Sequence, residues 1–323
     1  MQKSPTHKTK QLLALSIKLF IVIGCGYFMY TKLTQNNQLS FSDFYSKSIQ
    51  ASLFSTKNIV FLFIFSVLNW LFESNKWYLL ANHSRKTSFP NAIIQSLASL
   101  TVSLITPNRI GEYGAKAIYF KKPLRKQVLI LNLVGNLFQL GTTMIFGVVG
   151  ISFFIFNFNI TIPNKSIFLT IGLTSIALVI LCCFFYKKEV SIKGYSLKSL
   201  MNFISKIPNS VTAKVGLCSI MRYLIFSHQF YFLVVLFNVD ILYSEAILSI
   251  FTMYLLASII PMLSLFDVVI KGSIAIWVFS FFNCNEIVIL SIVLIMWVFN
   301  FVLPSIVGSY FVLTFKSDKL FES

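Results

Sequence analysis

The chain has 323 residues, of which 56% are hydrophobic and 11% charged, with 27 Lys and Arg against 10 Asp and Glu for a net charge of +17. A water-soluble domain carries about 25% charged residues, so this composition excludes a soluble enzyme, a secreted disulfide scaffold and a disordered protein. The apolar residues come in blocks of roughly 15 to 25, without the alternation of a transmembrane β-barrel, which leaves a polytopic helical membrane protein.

The first block, Leu12–Tyr30, follows Lys3, Lys8 and Lys10. It contains Val22-Ile23-Gly24-Cys25, a loose lipoprotein cleavage pattern, but runs on through Tyr30, so it reads as a first transmembrane helix rather than a signal peptide. Residues 31–58 are polar; Leu39, Phe41, Phe44 and Tyr45 within them predict a short amphipathic helix on the membrane surface. The next span is Ile59–Leu80, with Glu73 and Lys76 about one turn apart near its end. An irregular stretch follows. Asn91–Thr106 is only 16 residues long and stops at Pro107, and a second apolar piece, Ala117–Phe120, ends at Lys121-Lys122. Neither piece crosses about 30 Å of hydrocarbon comfortably. Two short arms around a Pro/Gly break predict a re-entrant hairpin, which survives at membrane depth only inside protein or beside a water-filled cavity. A long span, Val128–Ile155, comes next, then the span Ile167–Tyr186 and a basic segment from Lys187 to Lys214. Val215–Phe237 is a span containing Arg222 and His228. A second irregular stretch has arms at Ala246–Ile260 and Ser273–Phe282 around Pro261, Asp267, Lys271 and Gly272, and Ile287–Phe315 is the last span.

The two irregular stretches echo each other. Ser103-Leu104-Ile105-Thr106-Pro107 matches Ser258-Ile259-Ile260-Pro261, and Glu112 and Lys116 match Asp267 and Lys271 at an offset of 155 residues. The flanking spans recur near the same interval. The fold expected is therefore all-α, with six spanning helices and two re-entrant hairpins in an inverted four-element repeat, residues 1–156 forming the first repeat and 157–323 the second. With the N-terminus in the cytoplasm, this topology puts eighteen Lys and Arg on the cytoplasmic side and four outside, as the positive-inside rule asks. It also explains the net charge without nucleic acid as a partner, and leaves both termini cytoplasmic. Three crossings per half are an odd number, so the second half enters inverted, an arrangement typical of transporters.

Charged side chains inside a bilayer default to function and need a named partner. Arg109, Glu112 and Lys116 fall in the first hairpin, and Asp267 and Lys271 in the second. Glu112/Lys116 and Asp267/Lys271 are spaced to pair on one helix face. They either form internal salt bridges that let a broken helix sit in protein, or line a polar cavity for a charged headgroup. Glu112 is open to Lys116, which leaves Arg109 without an acid of its own and suits its forked donors to a phosphate. Glu73 and His228 are 155 residues apart, hence at equivalent places, and Arg222 is a further cation on its span. The five cysteines (Cys25, Cys182, Cys183, Cys218 and Cys284) form no CxxC, and His7, His83 and His228 are dispersed, so neither metal nor cofactor is expected. There is no G-x-S-x-G, H-E-x-x-H or P-loop. A membrane enzyme or accessory subunit acting on lipid-linked sugars is the alternative reading; it would want acids in external loops, where Asp43, Asp240, Glu245 and Glu286 are available.

Thr106-Pro107-Asn108-Arg109-Ile110-Gly111-Glu112, with Lys116 after it, resembles the lysylphosphatidylglycerol synthase transmembrane, or flippase-like, family, which commonly reads T-P-G-R-[IL]-G-E at this place. Asn108 replaces the usual Gly. The second hairpin resembles the family's later Pro-containing motif, with Ser264-Leu265-Phe266-Asp267 in place of its Gly-rich run. The resemblance extends over the length and segment order of the chain. It implies a multi-pass protein of the bacterial inner membrane whose partners are membrane lipids: a lipid flippase or transporter handling an anionic or amino-modified headgroup. Aminoacyl transfer is not implied, because that belongs to a soluble domain outside this resemblance.

Overall fold

In the computed structural model, the structure describes residues 41–104, 106, 109–158, 191–192, 195–196, 202–259 and 267–315, with the backbone course alone at 41–44, 191–192, 195–196 and 267. The expected spans at 12–30 and 167–186 and the Pro107 and Pro261 breaks lie outside these residues.

Among the described residues the architecture is helical, apart from a two-residue antiparallel ladder, β1 (Ser191–Ile192) with β2 (Tyr195–Ser196). Helix α1 (Phe41–Gln50) precedes α2 (Thr56–Ser84), whose N-cap Ser55 accepts the Asn58 backbone N–H at 3.4 Å. Then come α3 (Phe89–Leu104), α4 (Ile110–Ile118) and α5 (Lys122–Asn157). Pro123 sits in the first turn of α5, where a missing N–H costs nothing. After the ladder come α6 (Asn209–Leu236), α7 (Tyr243–Ile259) and α8 (Asp267–Ser280). The last rod is α9 (Glu286–Trp297), a π-helical turn (Val298–Val302) and α10 (Leu303–Thr314). Among the described residues, four helices are long and apolar enough to cross a membrane: α2, α5, α6 and the α9–α10 rod. Their outer faces carry exposed Phe63, Ile145, Val148, Ile306 and Val307, the surface a hydrocarbon solvent requires.

Several boundaries differ from the sequence reading: α6 begins at Asn209 rather than Val215, and α8 at Asp267 rather than Ser273. The expected short arm Ala117–Phe120 is not a separate piece; the helix begins at Ile110 and takes in the charged run through Lys116. The long span begins six residues earlier than expected, at Lys122. Apolar content defined these expectations, and it undercounts helix where charged residues fall within the helix.

The helices are exchanged between the two halves. α2 packs along α6, α3 packs on α4 and on α10, and α7 packs on α8 and on α5. Small residues permit the exchanged contacts. A Cβ at Gly308 would overlap the Leu97 carbonyl oxygen and Thr101 Oγ1 of α3. A Cβ at Gly150 would lie 2.6 Å from both the Leu248 carbonyl oxygen and Thr252 Oγ1 of α7. The apolar core lies mainly in the second half, around Phe230, Ile250, Phe279, Ile289 and Ile292, with a smaller cluster around Trp77, Leu80, Val128 and Leu131.

The π-helical turn has a local cause. Pro304 has no N–H for the Asn300 carbonyl, and the Leu303 N–H reaches back five residues to Val298 rather than four to Phe299. Two carbonyls are freed, and α2 takes both. Ser66 Oγ donates to the Phe299 oxygen, and Trp70 Nε1 donates to the Asn300 oxygen at 3.0 Å. This lock aims Asn300 and Phe301 at the cavity described next.

Candidate functional site

The short α4 is set by its entry. Thr106 Oγ1 accepts the Gly111 N–H at 2.8 Å, and the Thr106 N–H donates to the Ser103 carbonyl at 3.2 Å. Gly111 is required by crowding: a Cβ there would lie 2.7 Å from the Val102 carbonyl oxygen. Arg109 caps the helix in the left-handed region, φ 57° and ψ 26°, a conformation that costs a non-glycine residue free energy. The positive φ thus falls on Arg109 itself, the residue whose side chain the site uses.

Glu112 lies in the first turn of α4, where the helix dipole favours a carboxylate. It is buried, and each oxygen has a cation: Lys116 Nζ at 2.9 Å from Oε1, and Arg109 Nη2 at 3.3 Å from Oε2. The expectation that Arg109 lacks an acid of its own is corrected here, because one turn of helix lets Glu112 hold both neighbours. Lys116 is fully enclosed. It also donates to Asn132 Oδ1 at 2.8 Å and lies 4.6 Å over the Trp77 ring.

A second cluster of the same composition forms across α2 and α6. Glu73 Oε2 is 2.6 Å from Lys76 Nζ and 2.9 Å from Arg222 Nη1. Arg222 is further held by Asn69 Oδ1, 3.0 Å from Nε, and by Gln139 Oε1, 3.4 Å from Nη1. Behind it, Asn69 donates to Asn300 Oδ1, Asn300 donates to Gln229 Oε1, and Gln229 donates to the Leu62 carbonyl, at 2.8, 2.8 and 3.0 Å. This chain ties α2, α6 and the π-helical turn together through buried amides whose hydrogen bonds are satisfied.

In each cluster the lysine is deepest and the arginine stands at a cavity wall. The side chains of Lys76 and Lys116 are 3% and 2% exposed, whereas Arg222 and Arg109 are 18% and 38% exposed. The two arginines line one cavity of about 420 Å³, and Lys271 of α8 lines it with them. Lys271 Nζ also lies 5.3 Å over the Phe301 ring. Asn136, Gln139 and Thr143 of α5 and Tyr254 and Ser258 of α7 add a polar and aromatic wall. No carboxylate is among the described lining residues.

Of the eight residues singled out from sequence, Arg109, Arg222 and Lys271 share the cavity, while Glu73, Glu112 and Lys116 lie behind its wall. His228 does not join them. It bonds to the Leu224 carbonyl at 2.8 Å and to the Tyr243 hydroxyl at 3.0 Å, away from the cavity. Asp267 begins α8, and its side chain lies outside the described residues. Glu245 caps its own helix, accepting the Leu242 N–H at 3.1 Å. Sequence reasoning missed Lys76 as a partner and the amides Asn69, Asn136, Gln139 and Asn300. A signal was present. Ser66, Asn69, Glu73 and Lys76 recur every three or four residues, as do Asn132, Asn136, Gln139 and Thr143, each a polar stripe down an apolar span. No family model, curated protein or solved structure matches this chain.

Proposed function

We propose that this protein is a lipid flippase or lipid transporter that handles an anionic headgroup in the cavity between its two halves. One observation carries the reading. Arg109, Arg222 and Lys271, from three separate segments, line a single polar cavity among helices long enough to cross a bilayer. Intramembrane cations are costly unless a ligand or partner uses them, and guanidinium forks match phosphate oxygens. The likeness of residues 106–116 to the flippase-like family supports the same reading.

The full topology belongs to this proposal: six spans and two re-entrant hairpins in an inverted repeat, in a bacterial inner membrane, with both termini cytoplasmic. The exchanged packing of α3 with α10 and α7 with α5 supports the repeat, since a two-fold relation generates both contacts from one. External thiol labelling of single-cysteine variants tests it. Asn36→Cys and Asn164→Cys label and Lys86→Cys and Tyr195→Cys do not; labelling at 195 from outside overturns the inverted repeat.

The transport reading is tested in liposomes by headgroup exposure of labelled lipids, per folded molecule. Arg109→Lys keeps the charge but loses the fork, and lowers the rate markedly at normal protein level. Arg109→Ala lowers it further. A well-folded Arg109→Ala protein with wild-type specific activity would end the headgroup-site reading.

A further inference from the structure

We infer that the cavity selects a lipid phosphate carrying two negative charges, a phosphomonoester or a diphosphate headgroup, over a singly charged phosphodiester. The inference rests on the lipid-transporter reading and specifies its substrate class.

The argument is charge balance in a low-dielectric site. Arg109, Glu112 and Lys116 form one cluster, with two cations on one carboxylate and a net charge of +1. Lys76, Glu73 and Arg222 form the other, again with a net charge of +1. In each, the lysine is enclosed and the carboxylate is turned onto its two cations, so the uncompensated charge is displayed by the arginine at the cavity wall. The two clusters belong to one wall. Lys116 lies over Trp77, the residue after Lys76, and α5 contacts both lysines: Asn132 accepts from Lys116, and Gly135 lies beside the Lys76 stem.

The two excess positive charges face one partly open cavity that Lys271 also lines; they repel each other and are expensive to desolvate. A phosphodiester offers one negative charge and leaves at least one arginine cluster unmatched. A phosphomonoester offers close to two at pH 8, since its second ionisation lies near pH 6. Its three oxygens allow one to face each arginine. The cavity volume of about 420 Å³ accepts a phosphate or diphosphate with adjoining polar atoms, and its other lining groups, Asn136, Gln139, Thr143 and Ser258, are neutral. They add hydrogen bonds without changing the balance.

The test uses the full chain in nanodiscs at pH 8. Affinities are measured for short-chain phosphatidic acid, phosphatidylglycerol and phosphatidylcholine added as ligands. Phosphatidic acid binds at least about tenfold tighter than phosphatidylglycerol, the worth of one further charge-assisted hydrogen bond. Phosphatidylcholine binds more weakly than either. Arg109→Gln, at the more exposed of the two arginines, folds normally and reduces the preference to within about twofold. Lys271→Gln serves as a second variant should Arg109→Gln reduce protein yield. Equal binding of phosphatidic acid and phosphatidylglycerol overturns the charge assignment alone. Equal binding of all three lipids overturns the transporter reading beneath it. Unchanged preference in both folded variants places the selectivity elsewhere and also overturns the inference. Displacement of bound phosphatidic acid by an equal concentration of inorganic phosphate would make the ligand a free anion and overturn its assignment to lipid.

Discussion

The two charge clusters have the same composition and opposite construction. Arg109, Glu112 and Lys116 lie within eight residues, on one short helix and its cap. Lys76 and Glu73 are on α2, and Arg222 comes from α6, about 150 residues along the chain. The first forms as soon as α4 forms. The second exists only once α2 and α6 have packed. A local cluster stabilises an element; a long-range one stabilises an assembly. Loss of each carboxylate therefore has different consequences, although each leaves two cations unmatched.

Removal of the long-range carboxylate is expected to have the largest effect. Glu73→Gln leaves Lys76 and Arg222 facing each other across the α2–α6 contact, with Lys76 fully enclosed. A broken buried ion pair costs about 3–5 kcal/mol, so the variant is expected to lose most of its folded yield in detergent, with a melting temperature far below wild type. Glu73→Gln combined with Lys76→Met removes the stranded lysine and recovers part of the loss. A Glu73→Gln protein that melts with wild type would show that water reaches the cluster, and the contrast with Glu112 would collapse.

Glu112→Gln is expected to cost less, about 1–3 kcal/mol, the range for a buried polar group left short of partners. Two features soften it. Asn132 still accepts from Lys116 at 2.8 Å, and the partly exposed Arg109 can turn into the cavity. The same purified preparations, melted side by side, rank the two substitutions; an order with Glu112→Gln as the more damaging would reverse the assignment of local and long-range roles.

The same contrast decides what was readable in the chain. Glu112 and Lys116, four residues apart beside a Pro/Gly break, announce a pair on one face, and the structure has that pair. The apolar arms at 91–106 and 246–260 likewise emerge as α3 and α7, offset by one to three residues, because a run of apolar side chains stopped by proline is a local signal. Arg222 was visible as an intramembrane charge, but its partners were not. Nothing near position 222 specifies Glu73, Asn69 or Gln139; they meet it by the packing of α2, α5 and α6. The π-helical turn was hidden for a related reason. Pro304 predicts a disturbed helix, but which α2 side chains take the freed carbonyls depends on register between distant segments.

A smaller effect sharpens the account of the local cluster. Thr106→Val removes the acceptor of the Gly111 N–H at the start of α4, a loss of about 1 kcal/mol on the scale of helix N-caps. Thr106→Ser keeps the hydroxyl and restores stability. Under the proposed transport function, the rate in Thr106→Val is expected to fall more than stability alone explains, because the turn that holds Arg109 at positive φ is loosened. A rate that tracks only the amount of folded protein would show that Arg109 needs no help from this cap.

The smallest expected effect concerns the position that the proposed repeat would make equivalent to Glu73. His228 stands 155 residues after Glu73 on the corresponding helix, so a repeat that carried function with fold would give the two similar weight. Their surroundings argue otherwise. Glu73 is enclosed and matched to two cations, whereas His228 is half-buried, bonded to the Leu224 carbonyl of its own helix and to the partly exposed Tyr243 hydroxyl. Loss of such contacts stays within about 0.5 kcal/mol, because water replaces them. His228→Gln is therefore expected to melt within a degree or two of wild type and to move lipid at the wild-type rate, measured in the same liposomes as Arg109→Ala. Under the proposed repeat, the scaffold would then be duplicated while the chemistry is not, because each position acquires its role from whatever packs against it. A folded His228→Gln protein with a rate as low as Arg109→Ala would contradict this, and would require that α6 bring His228 to the cavity in a second conformation.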